Sequence, residues 1–178
     1  MSSRTGADLD ARREKNQLDS LESCTYNISM KKDVTPESRM AGECLAGRVR
    51  VLNRVITGIY DDALRPYLVR VSQMNVLVAI TALRQPRAAD VCRRLRLEKS
   101  TLSRDLERLI ARDWVRATPG GGRTQQLEVT AAGRALLGKL LPAWEAAEER
   151  VRALLGAPLT KAIVTAVDRL LATESDEG

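Results

Sequence analysis

A mainly α fold carrying one small β-hairpin, an α+β arrangement, is what this chain predicts, and three observations predict it. Apolar residues recur at helical spacing from Leu45 to Ile59 and again from Leu137 to Leu155. Aromatic residues make up only 3% and Phe is absent, so the core has to be built from Leu, Val, Ile and Ala, which suits helices. One stretch, residues 114–130, breaks the helical period: its apolar residues alternate with polar ones around Pro119-Gly120-Gly121-Gly122. With 178 residues, 44% of them apolar and 29% charged, the chain fits one globular domain or two small units sharing a core.

Residues 1–43 are polar and interrupted, and are expected to form a flexible extension with room for a short helix over Asp8–Leu21. From Leu45 the pattern becomes regular. Leu45, Val49, Leu52, Ile56 and Ile59 form one stripe of a long helix, and Val51 and Val55 add a second. This helix should stop near Pro66, because the residue before a proline leaves the α region. Met74, Leu77, Val78, Ile80 and Leu83 predict a second helix ended by Pro86, and Ala88–Leu95 a short third. A fourth runs over about 99–113 with Leu102, Leu106, Leu109 and Ile110 on its buried face.

Trp114–Thr118 and Gln125–Thr130 read as two strands, and the glycine-rich run between them as the tip of a hairpin. Thr130 is placed to cap a long helix from Ala131 to about Leu155, with the stripe Leu137, Leu141, Trp144, Val151 and Leu155. Pro142 should kink it. A last helix begins at Pro158, proline being favoured in a first turn, and runs to about Ala172. Both terminal helical regions are richly apolar for so small a domain, which points to a core shared with a second copy.

Residues 84–124 hold the whole charge imbalance: 11 basic against 5 acidic residues, the entire formal charge of +6. A basic block on a compact fold is the footprint of a surface that meets nucleic-acid phosphates. Within it, Asp90 to Arg104 has helix–turn–helix mechanics. Val91, Leu95 and Leu97 pin the first helix and the turn, Leu102 and Leu106 pin the second, and the small Cys92 sits where the helices cross. That leaves Ser100, Thr101, Ser103, Arg104, Glu107 and Arg108 on the solvent face. Hydroxyls and Arg near a helix N-terminus suit major-groove reading, since Arg can donate two bonds to guanine. Lys99 belongs to the same helix start, while Arg93, Arg94 and Arg96 are cast as phosphate contacts. The hairpin then acts as a wing whose Arg123, with Thr124 beside it, could enter the minor groove. The bland alternative for all of these is a solvated face.

The chain has no His, which removes His-based catalysis and His metal sites. Cys24, Cys44 and Cys92 are widely spaced and form no CxxC pair, so neither a zinc site nor a disulfide framework is expected. The three-glycine run lies between strands and is no phosphate loop. Acid pairs such as Asp61-Asp62 and Glu148-Glu149 read as solvated helix faces. Nothing nominates an enzyme, a metal or a cofactor. With no apolar leader and no long apolar run, a cytoplasmic protein with no membrane partner is expected.

The run Cys44–Leu155 resembles the MarR family of bacterial transcriptional regulators. The resemblance rests on Arg54 to Pro66, on Lys99-Ser100-Thr101-Leu102-Ser103-Arg104, and on Leu127-Glu128-Val129-Thr130-Ala131-Ala132-Gly133-Arg134 after the wing. It implies a winged helix-turn-helix in which residues 44–66 and 135–178 form a dimerisation region and 67–134 the DNA-binding lobe. It further implies a homodimer on a pseudo-palindromic double-stranded operator, with repression relieved by a small-molecule effector in the crevice beside the lobe. Two departures stand out. Arg96 occupies the bend where the family usually has Gly, so a non-glycine must take a positive φ there. Gly121 stands two residues before Arg123, where the family usually has a bracing Asp. The peroxide-sensing branch of the family places its Cys at the position of Ala46. Cys44 lies two residues earlier, about 200° around the helix, which leaves redox sensing at Cys44 a weaker alternative. A winged helix that docks onto protein and has lost DNA binding is the other, opposed by Arg104 and the basic excess.

Overall fold

The computed structural model describes residues 35–120 and 125–172. The expected helix over Asp8–Leu21, Cys24, and the wing-tip residues Gly121, Arg123 and Thr124 lie outside the described residues. In chain order the elements are α1 (Pro36–Glu43), α2 (Leu45–Leu64), a 3-10 turn (Arg65–Tyr67), α3 (Val71–Leu83), α4 (Ala88–Leu95), α5 (Lys99–Ala111), β1 (Val115–Pro119), β2 (Gln125–Val129) and α6 (Ala131–Ala172). The chain divides into two compact units, with the boundary between Val51 and Leu52, inside α2.

In the first unit, α1 is a short helix at the end of the expected extension, over residues where no helix was assigned. Thr35 caps it by accepting the Ser38 N–H at 3.3 Å, Pro36 occupies its first turn, and Glu37 adds a negative charge near its positive end. The Thr35 hydroxyl holds the Glu37 carboxyl below its ordinary range. No residue of α1 is buried, and that is why apolar periodicity missed it.

In the second unit, Ile59, Tyr60 and Leu64 of α2 enter the core. So do Val71, Met74, Val76, Leu77 and Ile80 of α3, Val91 of α4, Leu102 and Leu109 of α5, and Val115, Leu127 and Val129 of the hairpin. Helix α3 starts at Val71, a turn earlier than Met74, because Asp61 of α2 accepts the Val71 N–H at 2.7 Å and Gln73 accepts that of Arg70 at 3.2 Å. Helix α4 has the predicted bounds, its start secured by Asp90 accepting the Arg87 N–H at 3.0 Å. The hairpin is antiparallel, pairing Val115 with Val129 and Ala117 with Leu127, and Leu127 also donates to the Pro86 carbonyl at 2.8 Å. It begins one residue later than expected because Asp113 and Trp114 close the end of α5. Their N–H groups bond to the Ile110 and Leu109 carbonyls, both at 2.9 Å, with Asp113 left-handed at φ 55.

Two stripes differ from expectation. On α5, Ile110 is 44% exposed and Asp105 takes the buried side at 6%. On α6 the buried line is Leu136, Leu140, Ala147 and Val151, with Leu137, Trp144 and Leu155 only partly covered and Leu141 exposed. Pro142 leaves the helical dihedrals of α6 intact. The single non-helical residue within the element is Gly156, at φ 71 and ψ 160, just ahead of Pro158. At the start of α6, Thr130 caps as expected, accepting the Gly133 N–H at 3.0 Å. Among the described residues no single helix is long and apolar enough to cross a membrane.

Candidate nucleic-acid interface

The interface is built on the turn between α4 and α5. Helix α4 ends when the Leu97 N–H bonds back to the Cys92 carbonyl at 2.9 Å, which requires Arg96 to adopt φ 53, the left-handed conformation expected from its place at the bend. Holding a non-glycine there costs about 1 kcal/mol. The Cys92 side chain is half-buried and packs against the core, as a small residue at the helix crossing should.

Helix α5 turns Leu102, Asp105 and Leu109 inward. Lys99, Ser100, Thr101, Ser103, Arg104, Glu107 and Arg108 all lie exposed on its other side, as the spacing of Leu102 and Leu106 demands. Ser103 donates to Glu107 at 3.3 Å. Arg108 reaches Asp105 only at 3.9 Å with its own side chain 61% exposed, a pair too loose and too wet to hold the guanidinium. Arg104 has no ion-pair or hydrogen-bond partner among the described residues, so its donors face solvent. The first turn of α5 contains no acidic residue, and Glu98 makes no capping bond with its side chain. The opening N–H groups and the positive end of the helix dipole are therefore available to an anion.

Arg93 and Arg94 lie in the last turn of α4 and Arg96 at the bend that leads into α5, all exposed. Arg93 pairs with Asp90 at 3.3 Å, and Arg94 carries no such pair among the described residues. The hairpin base is braced across its strands by Arg116, whose Nε and Nη2 both donate to Glu128 Oε2, at 3.0 and 2.8 Å. The predicted wing contacts Arg123 and Thr124 belong to the tip, outside the described residues. Cys44 precedes α2, exposed, with its sulfur accepting the Gly47 N–H at 3.4 Å. No group of three or more His, Cys, Asp or Glu able to hold a metal occurs among the described residues.

Sequence reasoning missed the junction behind α5. Arg112 donates from Nη1 to the Leu68 carbonyl at 2.5 Å and lies 4.9 Å from the centre of the Trp114 ring. The Trp114 carbonyl accepts the Thr130 N–H at 3.1 Å, and the Asp113 carbonyl accepts the Thr130 hydroxyl at 2.5 Å. The signal available was the cationic and aromatic pair bracketing the end of a predicted helix.

Three helices, a two-stranded wing and an exposed cationic face on the second helix of the turn define a winged helix-turn-helix protein. Comparison with known proteins agrees. The sequence pattern of the MarR family matches residues 69–124. The M. tuberculosis transcriptional regulator MosR, solved in complex with DNA, is 30% identical; the match covers 75% of this chain and 98% of that one, with a TM-score of 0.63. A mutant E. coli MarR complexed with operator DNA is 18% identical over 75% of this chain and 97% of that one, with a TM-score of 0.66. Bordetella bronchiseptica BpsR, whose DNA binding is regulated by 6-hydroxynicotinic acid, is 21% identical over 72% and 94%, with a TM-score of 0.65. No curated protein sequence matches the chain. The chain belongs to the MarR family, and is a DNA-binding transcriptional regulator of that class.

Proposed function

We propose that the protein is a sequence-specific repressor that occupies a pseudo-palindromic operator as a homodimer. The observation that carries this is the exposed face of α5, where hydroxyls and exposed cations lie side by side at the helix start. Ser100, Thr101, Ser103 and Arg104 read base edges in the major groove, with Lys99 and Arg108 at the flanks. Arg93, Arg94 and Arg96 neutralise phosphates. Arg123 and Thr124 reach the adjacent minor groove from the wing. Residues 67–134 form the DNA-binding lobe, and 44–66 and 135–178 the dimerisation region. Exposed apolar residues on both parts of that region support this division, among them Leu45 at 72% and Leu170 at 63%, a cost in water that a second copy removes.

A small-molecule effector is part of the proposal. A mainly apolar cavity of about 380 Å³, lined by Met74, Asn75, Val78, Leu137, Leu140, Leu141 and Trp144, supports it. An occupant there would shift the lobe only by favouring one arrangement over another.

The test is a titration of purified protein against labelled DNA from its own upstream region, repeated across salt concentrations and with a scrambled duplex. A linear fall of log affinity with log salt, together with a strong preference for the native duplex, is the expected result. Weak binding indifferent to sequence would transfer the reading to a protein-docking winged helix.

A second reading is favoured by one observation, the exposure of Cys44 with its sulfur accepting a helix N–H. An exposed thiol is open to oxidants, and oxidation there would weaken DNA binding. Peroxide treatment that releases DNA from the native protein but not from Cys44→Ser is the outcome this reading requires.

A further inference from the structure

We propose that Arg112 is a positioning residue, which fixes the tilt of the recognition helix α5 by tying its C-terminal end to the turn between α2 and α3. The proposal rests on the operator reading above. Helix α5 has 13 residues, so its DNA-reading start lies about 20 Å from its far end. A small displacement at Arg112 is therefore carried along a lever to Lys99 and Arg104.

The far end is held from two sides. Towards the wing and α6, the backbone of Asp113 and Trp114 accepts the two bonds that Thr130 donates, and Gly133 lies so close that a Cβ there would sit 2.2 Å from the Trp114 carbonyl oxygen. Towards α2 the tie is a single side chain. Arg112 Nη1 donates to the carbonyl of Leu68, itself a left-handed residue (φ 56) whose N–H closes the 3-10 turn onto Arg65 at 2.9 Å. Three residues further on, Asp61 of α2 holds the start of α3 through the Val71 N–H. Among the described residues, Arg112 to Leu68 is the only side-chain hydrogen bond between the end of α5 and this turn.

The Trp114 ring holds the guanidinium over its face, so the donor is pre-aimed at Leu68. Arg112 is exposed and its loss opens no core, so its contribution is to orientation more than to folding. A dimer that reads two half-sites about one helical turn apart needs both lobes at a set angle, whereas a single half-site does not. Arg112 should therefore govern how sharply the protein discriminates half-site spacing.

The experiment uses the full chain, with the operator first mapped by footprinting in the upstream region. Affinities are measured for the native duplex, for duplexes with two base pairs inserted or removed between half-sites, and for a single half-site, alongside thermal melts. The expected result for Arg112→Ala is a roughly tenfold loss on the native duplex, the size of one charge-assisted hydrogen bond. Half-site affinity should stay within about twofold, melting should change little, and the preference for native spacing should collapse. Arg112→Lys, which keeps a donor for the Leu68 carbonyl, should restore most of that preference. An unchanged spacing preference in Arg112→Ala, or equal losses on half-site and full operator, would overturn the role assigned to Arg112 while leaving the operator reading intact. Failure of the unsubstituted protein to prefer its operator would overturn both.

Discussion

Replacing Gly133 by Ala sets two effects of opposite sign against each other, and the structure decides which wins. In most helices the change stabilises, since Ala is favoured over Gly by about 1 kcal/mol. Here the added Cβ would lie 2.2 Å from the Trp114 carbonyl oxygen and 2.7 Å from a Val129 methyl. Neither neighbour can swing aside: one is backbone, and the other belongs to a buried strand residue paired with Val115. Relief requires the first turn of α6 to move away from the α5–β1 junction. Overpacking of this kind costs roughly 1–3 kcal/mol. The movement also strains the Thr130 cap on Gly133, which is worth about 1 kcal/mol. The net expectation is a destabilisation of about 2 kcal/mol, or a melting temperature lower by about 4–8 °C for a protein of this size. Gly138 lies on the same helix with nothing within 4 Å of its Cβ position, so Gly138→Ala should raise the melting temperature by about 2–4 °C. Both variants would be melted at one protein concentration, because assembly makes melting concentration-dependent. Equal upward shifts in the two variants would refute the close-packing argument.

Arg104→Ala should remove most of the preference for native over scrambled DNA, about 1–3 kcal/mol per lost guanine pair, while Arg94→Ala should lower affinity for both duplexes and reduce the salt slope by about one; gel shifts at several salt concentrations separate the two. DNA affinity at constant ionic strength should change little between pH 6 and pH 8, since the chain has no His and the contact set consists of Arg, Lys and hydroxyls; a steep fall in that window would contradict the assigned surface. Tyr60 donates to Glu148, and burial together with that carboxylate raises its pKa above the ordinary tyrosine value. The folded state therefore keeps a proton that the unfolded state loses above about pH 10, so this contribution to stability is complete below pH 10 and declines above it. Denaturant melts of Tyr60→Phe should show a shallower alkaline decline than the native protein, and parallel curves would remove Tyr60 as its source.

Much of the binding lobe could be read from residue spacing because local chemistry and tertiary packing agree there. Asp90 and Leu97 bound α4, and the spacing of Leu102, Leu106 and Leu109 decides which α5 residues face water, so the candidate contacts Ser100, Thr101, Ser103, Arg104 and Arg108 are exposed as expected. Where the reading slipped, a distant partner made the choice. The start of α3 depends on Asp61, ten residues away in sequence. On α6 the doublets Leu136-Leu137 and Leu140-Leu141 permit either phase of the stripe, and the buried line follows Leu136 and Leu140 once Gly133 is seated against Trp114. Pro142 was expected to bend this helix. Four residues before it lies Gly138, exposed and without a side chain, where a carbonyl that loses its partner can reach water. The Arg112 tie has no periodic signature at all, since it joins a helix end to a carbonyl 44 residues away.

The break at Gly156 gives α6 an articulated elbow. Its φ of 71 and ψ of 160 fall where only glycine is comfortable, and the nearest atom to its Cβ position is the Pro158 ring carbon at 3.9 Å. Pro158 in turn prevents the two arms from annealing into a single rod, because its ring would strike the carbonyl of Leu154 and it has no N–H to offer. The corner is therefore compulsory: the direction of the outer arm is decided at one glycine and not along the helix.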